Sequence, residues 1–258
     1  MKKAHLVAGT ACDSMREITV NVENLTRKFG RFTAVDNISF SMRSGEILGF
    51  LGPNGAGKTT TIKMMTGLLR ITSGDIRIKG MDVKKKLKYV KRFTGYMSQK
   101  FSLYPLLTGF ENIEFFGGVS GLKRREIKEK MNEILEYIPE SYLNRKVRNL
   151  PPGIKQQVAL FSCLLPDPEI IFLDEPTSGV DPVNRRRFWM QINELKKNNK
   201  SILVSTHNLD EAEFSDRILI IHRGIIVAEG APSDLKVQGN FDSIEELFKK
   251  AVSDEKAD

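Results

Sequence analysis

Apolar and polar positions along the 258-residue chain change their period several times, and each change marks an element. Glu17–Val22 and Ile38–Phe40 alternate as short strands with two unlike faces do. Glu46–Leu51 is instead a mostly apolar run that stops at a glycine loop. A helix is expected from near Lys58 to Gly67, because glycine is favoured just past a helix C-terminus. Ile76–Lys79 reads as a further strand. From Tyr96 onward the pattern turns helical. Thr108-x-x-Glu111 has the spacing of a capping box, and Ile127, Met131, Ile134, Leu135 and Ile138 mark one face of a second helix. Residues from about 100 to 165 therefore read as a helical insert, with Pro139 and Pro166–Pro168 at loop boundaries. Ile170–Leu173, Ile202–Ser205 and Ile218–Ile221 follow as buried strands. The first two are separated by a helix with Asp181 as its cap and Pro182 at its first position. Strands alternating with helices predict a parallel sheet in a layered α/β fold. No internal repeat is evident. The tail after Asp234 holds one short amphipathic segment and a charged end.

Composition narrows the class. Forty Lys and Arg against 32 Asp and Glu give a net charge of +8, and 40% apolar content is enough for a sizeable core. No run reaches the roughly 18 apolar residues of a membrane span. Cys12 and Cys163 are far apart, and His5, His207 and His222 have no metal-ligand spacing, which excludes a disulfide-stapled domain and a cysteine-rich zinc site. The apolar patch Leu6–Ala8 near the N-terminus is shorter than the roughly 7–15 residues of a signal-peptide core. Residues 1–16 are expected to be a flexible extension, with a strand starting about Met15. The positive charge suits an anionic surface, either nucleic acid or the inner face of a membrane.

The chemistry begins after Leu51. Gly52-Pro53-Asn54-Gly55-Ala56-Gly57-Lys58-Thr59 fits G-x-x-x-x-G-K-[ST], between an apolar strand and a helix as that motif requires. Glycines let the backbone wrap so that successive N–H groups point at phosphate oxygens, and the helix N-terminus adds partial positive charge. Lys58 can reach the β- and γ-phosphates, and the Thr59 hydroxyl can ligate Mg²⁺. Ile170-Ile-Phe-Leu-Asp174-Glu175 is the complementary element. Its apolar run delivers Asp174 to the C-terminal edge of the sheet, where such sheets bind ligands. Asp174 is placed to hold Mg²⁺ and Glu175 to act as general base on the attacking water.

These residues resemble the ATP-binding subunit of an ABC transporter, over about Glu17 to Leu235. The resemblance implies a P-loop NTPase with a RecA-like α/β core, an N-terminal antiparallel β part and the helical insert. It divides the chain into the extension, an ATPase domain over 17–235 and a short segment over 236–258. It places Gly52 through Thr59, together with Thr60, around ATP. Phe29 matches an aromatic that stacks on adenine. Gln99, in Gly-Tyr-Met-Ser-Gln, matches a glutamine that contacts Mg²⁺ and couples to the membrane partner. Ser178-Gly-Val-Asp181 resembles a loop crossing a dimer interface, and Ser205-Thr-His207 a switch histidine that donates to the γ-phosphate. Catalysis would then rest on Lys58, Glu175 and His207, and metal binding on Thr59, Gln99 and Asp174.

One motif departs from the family. The signature, normally Leu-Ser-Gly-Gly, reads Leu150-Pro151-Pro152-Gly153 here. The serine hydroxyl is absent and both prolines lack an N–H. Gly153 and Ile154 still offer N–H groups to the γ-phosphate of a second subunit. Val83–Arg92, rich in lysine, reads as a solvated helix face; Arg185–Arg187 reads as surface and Trp189 as core. Lys100–Phe116 lies where the family receives a cytoplasmic helix of the permease. Together with Arg186 and Trp189 after Ser-Gly-Val-Asp-Pro, the pattern looks most like drug-efflux subunits paired with ABC-2-type permeases. The resemblance thus implies a dimer, slightly favouring the homodimer, that holds two MgATP. It would sit on the cytoplasmic face of the inner membrane and drive separate polytopic permeases without a nucleic-acid partner. A soluble ABC ATPase, such as one for iron–sulfur assembly, and a non-hydrolysing regulator are the alternatives.

Overall fold

A computed structural model describes residues 6–7, 16–100 and 102–254. In chain order, β1 (Leu6–Val7) is followed by β2 (Ile18–Phe29), β3 (Phe32–Arg43), β4 (Ile47–Leu51), α1 (Lys58–Met65), β5 (Ser73–Ile78), β6 (Met81–Asp82), α2 (Val83–Val90) and β7 (Thr94–Met97). Next come α3 (Gly109–Val119), α4 (Arg124–Leu135), α5 (Glu140–Leu143), a 3₁₀ turn at Val147–Asn149 and α6 (Pro152–Leu164). The last third is β8 (Ile170–Asp174), α7 (Pro182–Lys197), β9 (Ser201–Thr206), α8 (Leu209–Ala212), β10 (Arg217–His222), β11 (Ile225–Gly230), α9 (Pro232–Gly239) and α10 (Ile244–Asp254).

The strands form two sheets. One is antiparallel, in the order β3-β2-β5-β6. The other runs β1-β11-β10-β4-β9-β8-β7, and its five strands from β10 to β7 are parallel. The short strands read at Glu17–Val22 and Ile38–Phe40 belong to two strands of 12 residues each. Register shifts between Val22 and Leu25 and between Leu25 and Arg27 break the alternation that would have revealed their length. The hairpin partner β11, antiparallel to β10, was not expected either. It is reached through Arg223 and Gly224, with φ of 45° and 84°, a two-residue turn of the type that matches strand twist.

The fully apolar runs are explained by burial on both faces. In β8, Ile170 and Phe172 pack toward the antiparallel sheet with Phe50, Met64 and Met65, while Ile171 and Leu173 pack against Phe188 and Trp189 of α7. The insert has its own core of Ile113, Met131, Ile134, Ile138, Leu143 and Val158. Its helix α4 stops at Leu135, so buried Ile138 belongs to the turn before Pro139 and not to that helix. The expected caps are present: the Glu111 N–H donates to Thr108 Oγ1 at 3.1 Å, and Asp181 accepts from the Val183 and Asn184 N–H groups at 3.1 Å. In the tail, two helices replace the single expected segment, held by Leu235, Ile244 and Leu247 against Leu51 and Ile220. Of the expected N-terminal extension, Leu6–Val7 pairs in parallel with Ala228 and Glu229 and Arg16 is exposed ahead of β2; the other residues, Met15 and Cys12 among them, lie outside the described residues. No helix among the described residues is long and apolar enough to cross a membrane.

Candidate active site

Parallel strands deliver their C-terminal ends to one edge of the sheet, and there β4, β8 and β9 each release a functional loop. The loop after β4 passes so close to β10 that a Cβ on Gly52 would lie 2.2 Å from the Ile221 carbonyl oxygen. It then enters α1 through Gly57, whose φ of 109° only glycine adopts without strain. The wrapped backbone that phosphate binding requires is thus enforced by glycine at both ends of the loop. Pro53, Asn54 and Gly55 are exposed at its rim, and Thr59 and Thr60 lie half-buried on the first turn of α1.

Lys58 is 3% exposed, and its ammonium donates to the carbonyls of Gly52 at 2.7 Å and Pro53 at 3.1 Å. It also lies 3.3 Å from Glu175 Oε1. Burial lowers its pKa, and Glu175 opposes that shift by stabilising the charge. Asp174, 1% exposed, receives hydroxyl hydrogen bonds on Oδ1 from Thr59 at 2.9 Å and Ser205 at 2.7 Å. Its other oxygen, Oδ2, is buried without a hydrogen-bond partner. The buried Tyr96 hydroxyl faces this carboxylate without a well-formed hydrogen bond, and burial together with the nearby charge raises its pKa. Burial likewise raises the Asp174 carboxyl above its ordinary range, against the pull of its two hydroxyl donors.

Glu175 sits at φ 47°, a left-handed turn that costs about 1–2 kcal/mol for a residue with a Cβ. The turn is held by its own N–H, which donates to the Ser205 carbonyl at 3.1 Å and to Ser205 Oγ at 2.9 Å. Its carboxylate gathers the remaining residues: the Gln99 amide donates to Oε2 at 2.9 Å, and His207 Nδ1 lies 3.2 Å from the same oxygen. Thus Lys58, Thr59, Gln99, Asp174, Glu175 and His207 converge, although they lie up to 149 positions apart in the sequence. Ser205 and Tyr96 were missed by the sequence reading. A hydroxyl within the buried run Ile202–Ser205 was the available signal for the first; nothing distinguished Tyr96 from a core aromatic.

Two predicted residues stand apart. Phe29 ends β2 and is 45% exposed, with the Arg27 guanidinium 4.3 Å above its ring. Gly153 lies in the first turn of α6, so close to α7 that a Cβ there would meet Asn184 Cγ at 2.9 Å. The prolines fit this helix start, Pro152 occupying its first position. The expectation that Ile154 offers a free N–H needs correction: that group and the Lys155 N–H both donate to the Pro151 carbonyl, at 3.1 and 3.0 Å. Arg185 is not the plain surface residue expected, since its guanidinium lies 3.3 Å from buried Glu211. The lysine-rich helix α2 does present Lys84 and Lys85 to solvent and buries Val83 and Val90. Beside it, Lys88, Arg92, Tyr96, Leu103 and Phe116 line a cleft of about 740 Å³ under the insert. Asn112 orders the segment above this cleft, bonding the Tyr104 N–H and the Tyr104 and Thr108 carbonyls.

Comparison with known proteins gives the same picture. The ABC transporter family model matches residues 35–178. The chain is 44% identical over 256 residues to the probable multidrug ABC transporter ATP-binding protein YbhF of Escherichia coli (strain K12), covering 97% of this chain but only 44% of YbhF. The linearmycin resistance ATP-binding protein LnrL of Bacillus subtilis (strain 168) is 35% identical over 237 residues, covering 91% of this chain and 76% of that protein. Among solved structures, an ATP-binding cassette in a dimeric post-hydrolysis state with ADP and Pi superposes with a TM-score of 0.75 at 27% identity, over 82% of this chain and 98% of that one. Sequence, fold and the convergence on one sheet edge lead to a single assignment: the chain belongs to the ABC transporter family, as an ATP-binding domain with ATPase activity.

Proposed function

We propose that this chain is the motor subunit of an exporter, hydrolysing MgATP between two cassettes to drive separate membrane-spanning permease subunits. The observation that carries the reading is the Glu175 carboxylate, contacted by Lys58 from the phosphate loop, Gln99 from the segment after β7 and His207 from the loop after β9. One base therefore touches the residue that would hold the γ-phosphate, the residue that would report on the membrane partner and the residue that would sense the phosphate. Lys58 exchanges its Glu175 contact and its loop carbonyls for phosphate oxygens when ATP enters. Glu175, released from Lys58, accepts a proton from the water that attacks the γ-phosphorus, the bond from that phosphorus to the β–γ bridging oxygen breaks to release ADP, and His207 donates to a γ-phosphate oxygen. Phe29 offers one ring face to the base, since Arg27 covers the other.

The donor set fits Mg²⁺. Asp174 Oδ2 is an orphaned buried oxygen, and Thr59 Oγ1 and the Gln99 carbonyl complete an all-oxygen set. No group of three His, Cys, Asp or Glu residues among the described residues could hold a metal unaided. A single carboxylate plus substrate phosphates is the arrangement Mg²⁺ prefers. When bound, the ion neutralises charge on the phosphate oxygens.

Export is supported by relatives named for multidrug transport and linearmycin resistance; ABC-2-type permeases and a peripheral position on the cytoplasmic membrane face belong to the same proposal. A dimer is supported by the dimeric cassette; we favour two copies of this chain, because none of its site residues is degenerate outside the signature. The cleft beside Phe116 is then the seat of a permease helix. The test is Glu175→Gln, which keeps shape and removes the proton acceptor. The variant is expected to bind MgATP and accumulate as an ATP-bound dimer, read by size exclusion with and without nucleotide. Hydrolysis at the wild-type rate would assign the base elsewhere.

A further inference from the structure

The segment that carries Glu175 and the loop that carries His207 meet at a second carboxylate. Glu211, on the short helix α8, is 2% exposed. Its Oε1 accepts the Thr177 hydroxyl at 2.6 Å and its Oε2 the Thr206 hydroxyl at 2.9 Å. Arg185 Nε, from α7, lies 3.3 Å from Oε1. Each of these partners is tied to a different piece of the machinery. Thr206 precedes His207, and its hydroxyl also accepts the Asn208 N–H at 3.0 Å, bracketing the histidine on both sides. Thr177 lies two residues after Glu175, in the turn where the Ser178 N–H donates to the Glu175 carbonyl at 3.2 Å and the Val180 N–H to the Thr177 carbonyl at 3.1 Å. Arg185 reaches the Val180 carbonyl at 3.4 Å, within the loop that would cross to a second cassette. The preceding Pro176 carbonyl accepts the Gln156 side chain of the signature helix at 2.8 Å.

We infer that Glu211 is a positioning residue for hydrolysis: with its oxygens occupied by the hydroxyls of Thr177, in the turn after β8, and Thr206, at the end of β9, it sets the distance between His207 and the Glu175–Asp181 segment. The chemistry requires a carboxylate. A glutamine has one acceptor oxygen where two hydroxyls now donate, and it leaves the Arg185 charge without its partner. Two hydroxyl donors and a cation on one buried carboxylate are also more than packing calls for, since an apolar side chain would fill the site without polar partners to satisfy. The Glu211 carboxylate bonds Thr177, Thr206 and Arg185, none of them a residue assigned to nucleotide or metal, so it acts through His207 and not in its place. The inference rests on His207 being the phosphate sensor.

The experiment compares Glu211→Gln, Thr206→Val and His207→Ala, singly and as Glu211→Gln/His207→Ala, in the full chain, measuring kcat, the KM for MgATP and the melting temperature. The expected result is a fall in kcat of about 10- to 100-fold for Glu211→Gln, as sub-ångström to 1 Å misplacement produces. Thr206→Val, nearly isosteric, is expected to fall in the same direction, with KM within about twofold for both. In the double variant Glu211→Gln should add nothing to the loss caused by His207→Ala, because residues acting through one another are not additive. Wild-type kcat in Glu211→Gln or Thr206→Val with His207→Ala impaired overturns the inference and leaves the sensor reading standing. Wild-type kcat in His207→Ala overturns both. Multiplicative losses in the double variant, or failure of both Glu211→Gln and Thr206→Val to fold, assign Glu211 a purely structural role.

Discussion

Asp174 shows how a single side chain is held with one oxygen satisfied by the protein and the other left for a cation. It is buried, one oxygen is satisfied by Thr59 and Ser205, and the other is not satisfied at all. Burial raises its pKa above the ordinary 3.8. The folded chain therefore favours the neutral acid more than the unfolded chain does, so this group's contribution to stability is present below the ordinary carboxylate pKa and is lost as pH rises through the raised one. Without nucleotide and metal, Asp174→Asn is expected to melt above the wild type at pH 7–8, and the gap to close as pH falls toward 4 and below. MgATP should reverse the order at pH 7–8, since a cation beside Oδ2 rewards the ionised form. Thermal melts across pH, with and without MgATP, check both halves; a gap that is flat with pH would refute the buried-charge account. Lys58 and Glu175 differ in that each lies beside an opposite charge, 3.3 Å apart.

At the scale of elements, α6 is the informative case. Two prolines at its start replace N–H donors, yet the helix is undistorted, with Pro151 at φ −59° outside it and Pro152 inside its first turn. The cost falls on recognition and not on folding. The Ile154 N–H turns back to the Pro151 carbonyl, which leaves Gly153 as the signature N–H available to the second cassette of the proposed dimer. Losing one charge-assisted hydrogen bond costs about 1.5–3 kcal/mol, or roughly 10- to 150-fold in rate where it acts on the transition state. In a homodimer, Pro151→Ser with Pro152→Gly is expected to raise the ATPase rate by up to that factor. If the complex holds one copy of this chain beside a different cassette, hydrolysis at the Lys58 site should be unchanged. Steady-state rate and subunit stoichiometry on the same purified complex decide between them.

Across the whole molecule, the two sheets are joined by more than apolar contact. Arg217 on β10 donates to Glu46 Oε1 at 2.7 Å and to Oε2 at 3.3 Å, and also bonds Glu229 on β11 and the Ser41 carbonyl on β3. Glu46 Oε2 further accepts the Arg43 N–H at 2.7 Å. A guanidinium thus connects the antiparallel sheet to the edge of the parallel one. Removing it leaves a buried carboxylate without its charge partner, a loss of about 3–5 kcal/mol. Arg217→Ala should therefore unfold at markedly lower denaturant than wild type, measured by circular dichroism in urea. A midpoint shift worth under about 1 kcal/mol would show that the pair only offsets its own desolvation. The sequence separation in this cluster, 171 positions between Glu46 and Arg217, is typical of what the chain's linear pattern does not display.

What the sequence determined by itself is local. Apolar runs that stop at Gly52, at Asp174 and just before Ser205-Thr206-His207 point to strands buried on both faces with their chemistry at one end. Thr108 with Glu111, and Asp181 with the Val183 and Asn184 N–H groups, mark their helix starts through hydrogen bonds that close within a turn. Bulges hid the length of β2 and β3, because register depends on a partner strand and not on the strand's own alternation. Tertiary structure alone decided which oxygens meet which donors. In the linear sequence Glu211 is one acid among several in Leu-Asp-Glu-Ala-Glu, and Arg185 is one of three consecutive arginines read as surface. The bonds of Glu211 to Thr177 and Thr206, and its pairing with Arg185, arise only when β8 and β9 lie side by side and α7 crosses them. Hydrogen bonds act over about 3 Å in space, and the chain brings residues that close only once its nonlocal strands have paired.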